Sequence, residues 1–263
     1  LIRLAGAYRS YARETGATAV NTHHGRDHLV WAAALANTGI PLVRTSGNQI
    51  PPKIHPGTRL IQSRTSGIIA SCGTVRSYYA EGFGIDPGVI PVVNGGVDGV
   101  LFSPANRNRE LRRSFGIPDD AFVLGIIGRF SPVKGHRFFF EAASRAARTR
   151  PHLRFLVAGW DAQLSVRDIE NMAVKAGIIE RTCFPGRSND VRELIGAVDA
   201  GVVASVGSET VCRIALEYMA MGVPVIAAGT NVVPELVSDG VAGIVVPPGD
   251  PDALAGAMER LAD

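Results

Sequence analysis

Short apolar runs bounded by glycine or proline alternate with stretches of helical periodicity along nearly the whole chain, and this alternation restricts the fold more than any other feature. Strand-like runs fall at 17–22, 41–45, 67–71 and 89–93, with helical patterns at 1–14, 28–37, 56–63 and 74–82 between them. The turn-rich Asn94-Gly95-Gly96-Val97-Asp98 follows, and the polar stretch from Asn106 to Arg113 reads as a linker with a short helix. The alternation then restarts, with strands at 122–127, 153–159, 183–185, 200–204, 223–227 and 243–246 and helices at 136–148, 167–176, 191–197, 210–221, 232–237 and 252–261. Mostly apolar strands separated by helices call for parallel sheets covered on both faces. The expected class is α/β, with two Rossmann-like doubly wound units, residues 1–105 and 106–263. Ligands in such sheets sit outside the carboxyl ends of the strands.

With 46% hydrophobic residues, the 263-residue chain can bury one or two cores. Its longest apolar runs are strand-sized, so no membrane-spanning helix is expected. Three cysteines, Cys72, Cys183 and Cys212, form an odd set without metal-ligand spacing, which suits a reducing, cytoplasmic compartment and packing roles. Residues 1–105 hold nine Arg and Lys against five Asp and Glu, whereas the remainder holds eighteen against nineteen. The basic excess of the first unit suits an anionic acceptor or an anionic membrane surface. Its scattered cations lack aromatic interleaving and match no nucleic-acid-binding pattern, so no nucleic-acid partner is expected. The chain opens at Leu1 inside a helical pattern with no preceding strand, which predicts that sequence upstream is missing.

The run ending at Ile127 feeds Gly128-Arg129, and Lys134-Gly135 arrives just before a helical pattern at His136. Such a loop delivers one guanidinium for bidentate oxygen contacts and one ammonium as a point charge, beside the free N–H groups of a helix start: a diphosphate clamp. The order Gly-Arg-x4-Lys-Gly is neither a Walker loop nor the dinucleotide fingerprint, and a nucleotide bearing a sugar fits it better. Further on, Glu209 and Glu217 lie eight positions apart, about 12 Å along a continuous helix, too far to share a proton. With Ser208 as the helix cap, Glu209 would stand at the helix mouth and accept sugar hydroxyls, and Glu217, two turns in, would accept ribose hydroxyls. His23, at the end of the strand over 17–22, is a candidate to polarise a sugar hydroxyl or orient an acceptor. Asp250-Pro251-Asp252 mimics a metal-binding Asp-x-Asp but reads as the cap of the last helix, and no His, Cys and Asp cluster argues for a metal.

As a set, these residues resemble the retaining GT-B glycosyltransferases of family 4, the glycosyl transferases group 1. The resemblance rests on the Gly-Arg…Lys-Gly loop, Pro185-Gly186-Arg187, the Glu-x7-Glu element with Met219-Ala220-Met221-Gly222-Val223-Pro224-Val225, Pro234-Glu235 and Pro248-Gly249-Asp250-Pro251. In the first unit it is carried by Asn21-Thr22-His23 and Asn94-Gly95-Gly96-Val97-Asp98. It implies a GT-B architecture whose N-terminal, acceptor-side domain is incomplete and whose C-terminal domain binds the donor, a UDP- or GDP-sugar. Gly128, Arg129 and Lys134 would hold the diphosphate, Glu209 the transferred sugar, Glu217 the ribose and the Arg187 loop the base, with His23 facing the sugar. Catalysis would fall to His23, Arg129, Lys134 and Glu209. The resemblance further implies transfer with retention of configuration, without a metal or other cofactor, to a saccharide or lipid-linked acceptor of the cell envelope, as in polysaccharide or lipopolysaccharide synthesis, at the cytoplasmic face of the membrane. Two other readings stand beside it: a GT-B nucleotide-sugar epimerase, and a nucleotide-sugar-binding module without activity. The chain departs from the pattern at Thr210-Val211-Cys212, where the family has an aromatic-glycine pair and Thr210 and Val211 would make the donor contacts in its place, at Arg213, an added cation, and at Asn231, which stands where a glycine pair often precedes Pro-Glu.

Overall fold

The alternation read from the sequence folds, in the computed structural model, into two units, Leu1–Gly95 and Gly96–Asp263; every residue is described except Leu1, Gln49 and Ser208. In the first unit, α1 (Ile2–Glu14), β1 (Val20–Thr22), α2 (Gly25–Ala34), β2 (Leu42–Ser46), α3 (Pro56–Gln62), β3 (Gly67–Ala70) and α4 (Gly73–Phe83) follow one another. The strands pair in parallel in the order β1-β2-β3. Ala12 of α1 packs on Ala32, Leu35 and Leu42. Arg9 donates to the carbonyls of Ala34 (2.7 Å) and Ala36 (3.2 Å), so a cation closes the carboxyl end of α2.

The same unit buries one polar chain. His28 lies between two hydroxyls, Thr22 Oγ1 at 2.7 Å from Nδ1 and Thr65 Oγ1 at 2.9 Å from Nε2. Each hydroxyl also has a backbone carbonyl within reach, Ile61 for Thr65 (3.0 Å) and Val43 for Thr22 (3.2 Å), so the neutral ring donates to one hydroxyl and accepts from the other. Burial, reinforced by the charge of Arg44, pulls the His28 pKa down to about 4 and holds the ring neutral.

In the second unit, α5 (Leu111–Ser114) leads to β4 (Phe122–Ile127), α6 (His136–Thr149), β5 (Leu153–Ala158), α7 (Val166–Lys175), β6 (Thr182–Cys183), α8 (Val191–Gly196), β7 (Ala200–Val203), α9 (Arg213–Ala220), β8 (Val225–Ala228), α10 (Val233–Leu236), β9 (Gly243–Val246) and α11 (Pro251–Ala262). Six parallel strands run in the order β6-β5-β4-β7-β8-β9. The chain therefore leaves β4 toward one edge and returns to β7 to build toward the other, which opens a crevice between the carboxyl ends of β4 and β7. Phe139 and Phe140 of α6, Phe155 of β5 and Met258 of α11 fill one face of the sheet. Tyr218 of α9, fully buried, donates its hydroxyl to the Gly125 carbonyl at 3.0 Å. Asp250 accepts from the N–H groups of Asp252 and Ala253 (both 3.0 Å), so Asp250-Pro251-Asp252 caps α11 as read from the sequence. Among the described residues no helix is long and apolar enough to cross a membrane.

Three expectations need correction. Residues 89–93 form no full strand, because Pro87 and Pro91 each lack an N–H and the segment keeps only a bridge from Val92 to Ala70. The units divide between residues 95 and 96 rather than at 105/106, because the segment ahead of α5 is tied into the second unit. Asn106 Nδ2 donates to the carbonyls of Val100 (3.0 Å) and Leu101 (2.9 Å), Pro104 lies where a Cβ on Gly222 would stand 3.4 Å from it, and just beyond, Arg109 meets Asp199 at 2.7 Å and Arg107 bonds the Val198 carbonyl. Finally, the helix expected over 210–221 begins only at Arg213, since Cys212 at its mouth adopts a left-handed conformation (φ 47, ψ 53) that a continuous helix excludes. Cys212 therefore occupies the helix cap; the earlier candidate, Ser208, lies outside the described residues.

Candidate functional site

A cavity of about 280 Å³ occupies the crevice at the carboxyl ends of β4 and β7. Its lining includes Gly128, Arg129, Lys134, His136, Glu209 and Arg213, which come from the loop after β4, the start of α6, the loop after β7 and the start of α9.

Backbone geometry fixes the Lys134 loop. Residues Pro132–Lys134 make one 3₁₀ turn that ends on Gly135 with φ 72, and a Cβ there would lie 1.9 Å from the Ala204 carbonyl oxygen. Only glycine allows this approach, which sets the loop directly against the end of β7. The Val206 N–H donates to the Val133 carbonyl (3.0 Å) and seals the same junction. Lys134 Nζ consequently reaches Glu209 Oε1 as an ion pair, and Ser205 Oγ donates to the same oxygen at 2.5 Å.

Glu209 is 3% exposed and sits on a loop ahead of α9, not at a helix mouth. Its N–H donates to Asn231 Oδ1 (3.3 Å), and its carbonyl accepts from the Val232 N–H (3.0 Å). Asn231 has φ 48, a conformation that asparagine tolerates better than most residues, so it serves where the family carries glycine and adds a side-chain bond. Cys212 (φ 47) lacks that advantage, and its thiol is pushed up to about 12 by burial and by the neighbouring Glu209. Such a thiol is inert at neutral pH.

Arg129 is exposed and makes no ion pair among the described residues, which leaves its guanidinium for a ligand. The amino end of α6 carries no side-chain cap, so its leading N–H groups add to the positive potential. One carboxylate already paired to a lysine, free guanidinium groups and an uncapped helix start together favour a ligand carrying about two negative charges and several hydroxyls.

His136 has 1% exposure and meets Phe130 edge to face at 5.4 Å. Burial lowers its pKa to about 4, against a hydrogen bond to the Ser131 backbone and with the Lys134 charge acting in the same direction as burial. An unfolded histidine titrates near about 6.5, so below that pH the unfolded chain binds the extra proton first. Stability of the second unit is then fully present above about pH 6.5 and falls as pH drops toward 4, by about 2 kcal/mol at pH 5. Urea melts of the His136→Phe variant at pH 7 and pH 5 should lose most of this difference. An unchanged pH dependence would show that His136 titrates normally.

Not every residue read from the sequence reaches the cavity. Glu217 lies one turn beyond Arg213 on α9, half-buried and outside the lining, with its pKa raised by burial against the opposing Arg213 charge. Thr210 and Val211 are also outside the lining. Arg187, after β6, sits 5.6 Å from the ring centroid of Trp160, which does line the cavity. His23 belongs to the first unit, exposed on a hollow of about 660 Å³ shared with Tyr8 and Asp27. Ser205, His136 and Trp160 were not singled out from the sequence. Only Ser205 carried a signal, standing four residues before Glu209 at the end of an apolar run.

Comparison with known proteins bears on the family and the fold. The chain is 28% identical over 266 residues to a D-inositol 3-phosphate glycosyltransferase of Saccharomonospora viridis, covering 92% of this chain and 61% of that protein. It is 29% identical to the protein of the same name in Actinosynnema mirum, covering 98% of this chain and 67% of the relative. The chain thus spans roughly half to two thirds of the length of the curated relatives it matches. In fold it is similar to the Anabaena protein Alr3699/HepE, solved in complex with UDP, with a TM-score of 0.86 at 24% identity over 98% of this chain and 72% of that one. It is also similar to a glycosyltransferase from Rickettsia africae, with a TM-score of 0.87 at 20% identity over 99% and 70% of the two chains. The fold is that of the GT-B glycosyltransferases. The family model described as glycosyl transferases group 1 matches residues 121–263, more than half of the chain, and the protein belongs to that family.

Proposed function

We propose that the protein transfers a sugar from a nucleoside-diphosphate sugar, a UDP- or GDP-sugar, to a hydroxyl acceptor with retention of anomeric configuration, as a family 4 enzyme. The observation that carries this reading is the convergence of Arg129, Lys134 and Glu209 on one cavity at the β4–β7 crevice. In this reading Arg129, Lys134 and the start of α6 hold the diphosphate and stabilise the charge that grows on it as the glycosidic bond breaks. The Glu209 carboxylate, fixed by Lys134 and Ser205, accepts hydroxyls of the transferred sugar through its remaining acceptor sites. The chemistry asks no metal of these residues, since two cations and a helix terminus neutralise the leaving group. Relatives named for D-inositol 3-phosphate, and a structural neighbour that is a lipopolysaccharide outer core galactosyltransferase, make polar, anionic or envelope-type acceptors the first to try. The basic first unit, His23 included, is assigned to the acceptor, at the cytoplasmic face of the membrane with peripheral contact to its anionic surface.

The reading is tested by incubating the protein with UDP- and GDP-sugars in the presence of a chelator, with and without D-inositol 3-phosphate. Free nucleoside diphosphate is quantified and the new anomeric centre is read by NMR. Consumption of one donor with its α configuration kept in the product is expected. An inverted product would refute retention, and epimerised donor would point to the epimerase reading. Full activity that vanishes with the chelator would refute metal independence.

A further inference from the structure

Lys134 and Glu209 form an ion pair and together add no net charge to the cavity, which leaves Arg129, among the described residues, as the unpaired cation of the loop after β4. A nucleoside-diphosphate sugar carries about two negative charges at neutral pH. Arg129 and a helix start worth about half a charge fall short of that.

Arg213 supplies the difference. It departs from the family pattern, is exposed, makes no ion pair or hydrogen bond among the described residues, and lines the cavity beside Ile214 from the β7 side. Its place follows from the break at Cys212, whose left-handed backbone ends the Glu209 loop and makes Arg213 the first residue of α9. The helix does not hold the guanidinium. Glu217, one turn on along the same face, has its pKa raised by burial against the opposing Arg213 charge, yet no ion pair joins the two among the described residues. Arg213 shares its wall with Glu209, the residue assigned to the sugar, so the phosphate within its reach is the one bonded to the sugar.

That phosphate changes charge during transfer. As the bond from the sugar's C1 to the phosphate oxygen breaks, the electron pair stays on that oxygen, while the acceptor oxygen bonds C1 and its proton passes to water. The diphosphate leaves with about three negative charges in place of about two. We propose that Arg213 is a second free cation of the donor site, which grips the phosphate next to the sugar and stabilises the charge that grows on it; the assignment rests on reading the cavity as a nucleotide-sugar site. Such a guanidinium favours the departing diphosphate over the intact donor.

The test is calorimetry on the unaltered protein, Arg213→Ala and Arg213→Lys, with UDP and GDP, followed by the glucose and glucuronate esters of whichever nucleotide binds. In Arg213→Ala the free diphosphate should bind about 10- to 50-fold more weakly and the glucose ester less than about threefold more weakly, with ligand-free melting temperatures unchanged. Arg213→Lys, which keeps the charge but loses the fork, should recover part of the loss. Unchanged diphosphate affinity in Arg213→Ala, or equal losses for the diphosphate and its glucose ester, overturns the assignment and leaves the nucleotide-sugar reading standing. A loss confined to the glucuronate ester gives Arg213 to a sugar carboxylate and also overturns it. Binding of neither nucleotide to the unaltered protein removes both proposals together.

Discussion

Replacing Lys134 with alanine is expected to lower sugar transfer by about 100- to 1,000-fold, the usual effect of removing one donor aimed at developing negative charge. The structure adds a second consequence. Lys134 is the ion-pair partner of Glu209, whose side chain is almost wholly buried, so the variant leaves a carboxylate unpaired beside the donor diphosphate. That anion repels the ligand as well as failing to hold it. The double variant Lys134→Ala/Glu209→Gln should therefore bind UDP more tightly than Lys134→Ala alone while remaining inactive in transfer. Calorimetry and initial rates on the four proteins of this cycle provide the check. If the two losses of affinity simply add, the ion pair plays no part in tuning the cavity.

The second large effect is structural. Asp199 gathers Arg107 and Arg109 on one carboxylate oxygen, while the other meets Arg112 and accepts from the Val123 N–H at 2.9 Å. Arg112 is buried, donates to the carbonyls of Ala197 (2.8 Å) and Ala121 (3.3 Å), and has no other carboxylate among its described partners. Asp199→Ala strips a buried guanidinium of its counter-charge and should destabilise the second unit by about 3–5 kcal/mol, as for other buried pairs broken on one side. The melting temperature should fall by roughly 10 °C. Asp199 precedes β7 whereas the cavity lies past the strand's carboxyl end, so UDP affinity at low temperature should be retained. A variant that melts with the unaltered protein would show that the segment before α5 is not anchored by this cluster.

The contrast between these two sites explains what the sequence could reveal. Arg129, Lys134 and Glu209 were legible because each stands at the end of a short apolar run, and in a parallel sheet such ends share one edge. Strand existence followed from the same periodicity, and the ends of β4 and β9 fall where expected. Asp199 was silent. Its role depends on arginines 87 to 92 residues earlier in the chain, a separation that no local pattern encodes. The start of α9 was misplaced for a related reason. Cysteine rarely adopts a left-handed conformation, and at position 212 it is imposed by the loop that ties Glu209 to Asn231 and Val232. Glu217 illustrates the limit of spacing arguments: eight positions on one continuous helix implied a shared ligand, but a break at Cys212 changes where the first carboxylate points. Trp160 was overlooked because an aromatic residue after a strand reads as core until its exposure is known.

The central claim is that Arg129 and Lys134, at the carboxyl edge of the second sheet, hold a nucleoside diphosphate. Arg129 tests it most cleanly, since its exposed guanidinium has no ion-pair partner among the described residues and its loss should leave the fold intact. Isothermal titration of UDP and GDP into the unaltered protein and into Arg129→Ala is the decisive measurement. One-site binding that weakens at least about ten-fold in the variant, with an unchanged melting temperature in the absence of ligand, is the predicted result. Equal affinity in the two proteins, or no binding of either nucleotide to the unaltered one, would contradict the account.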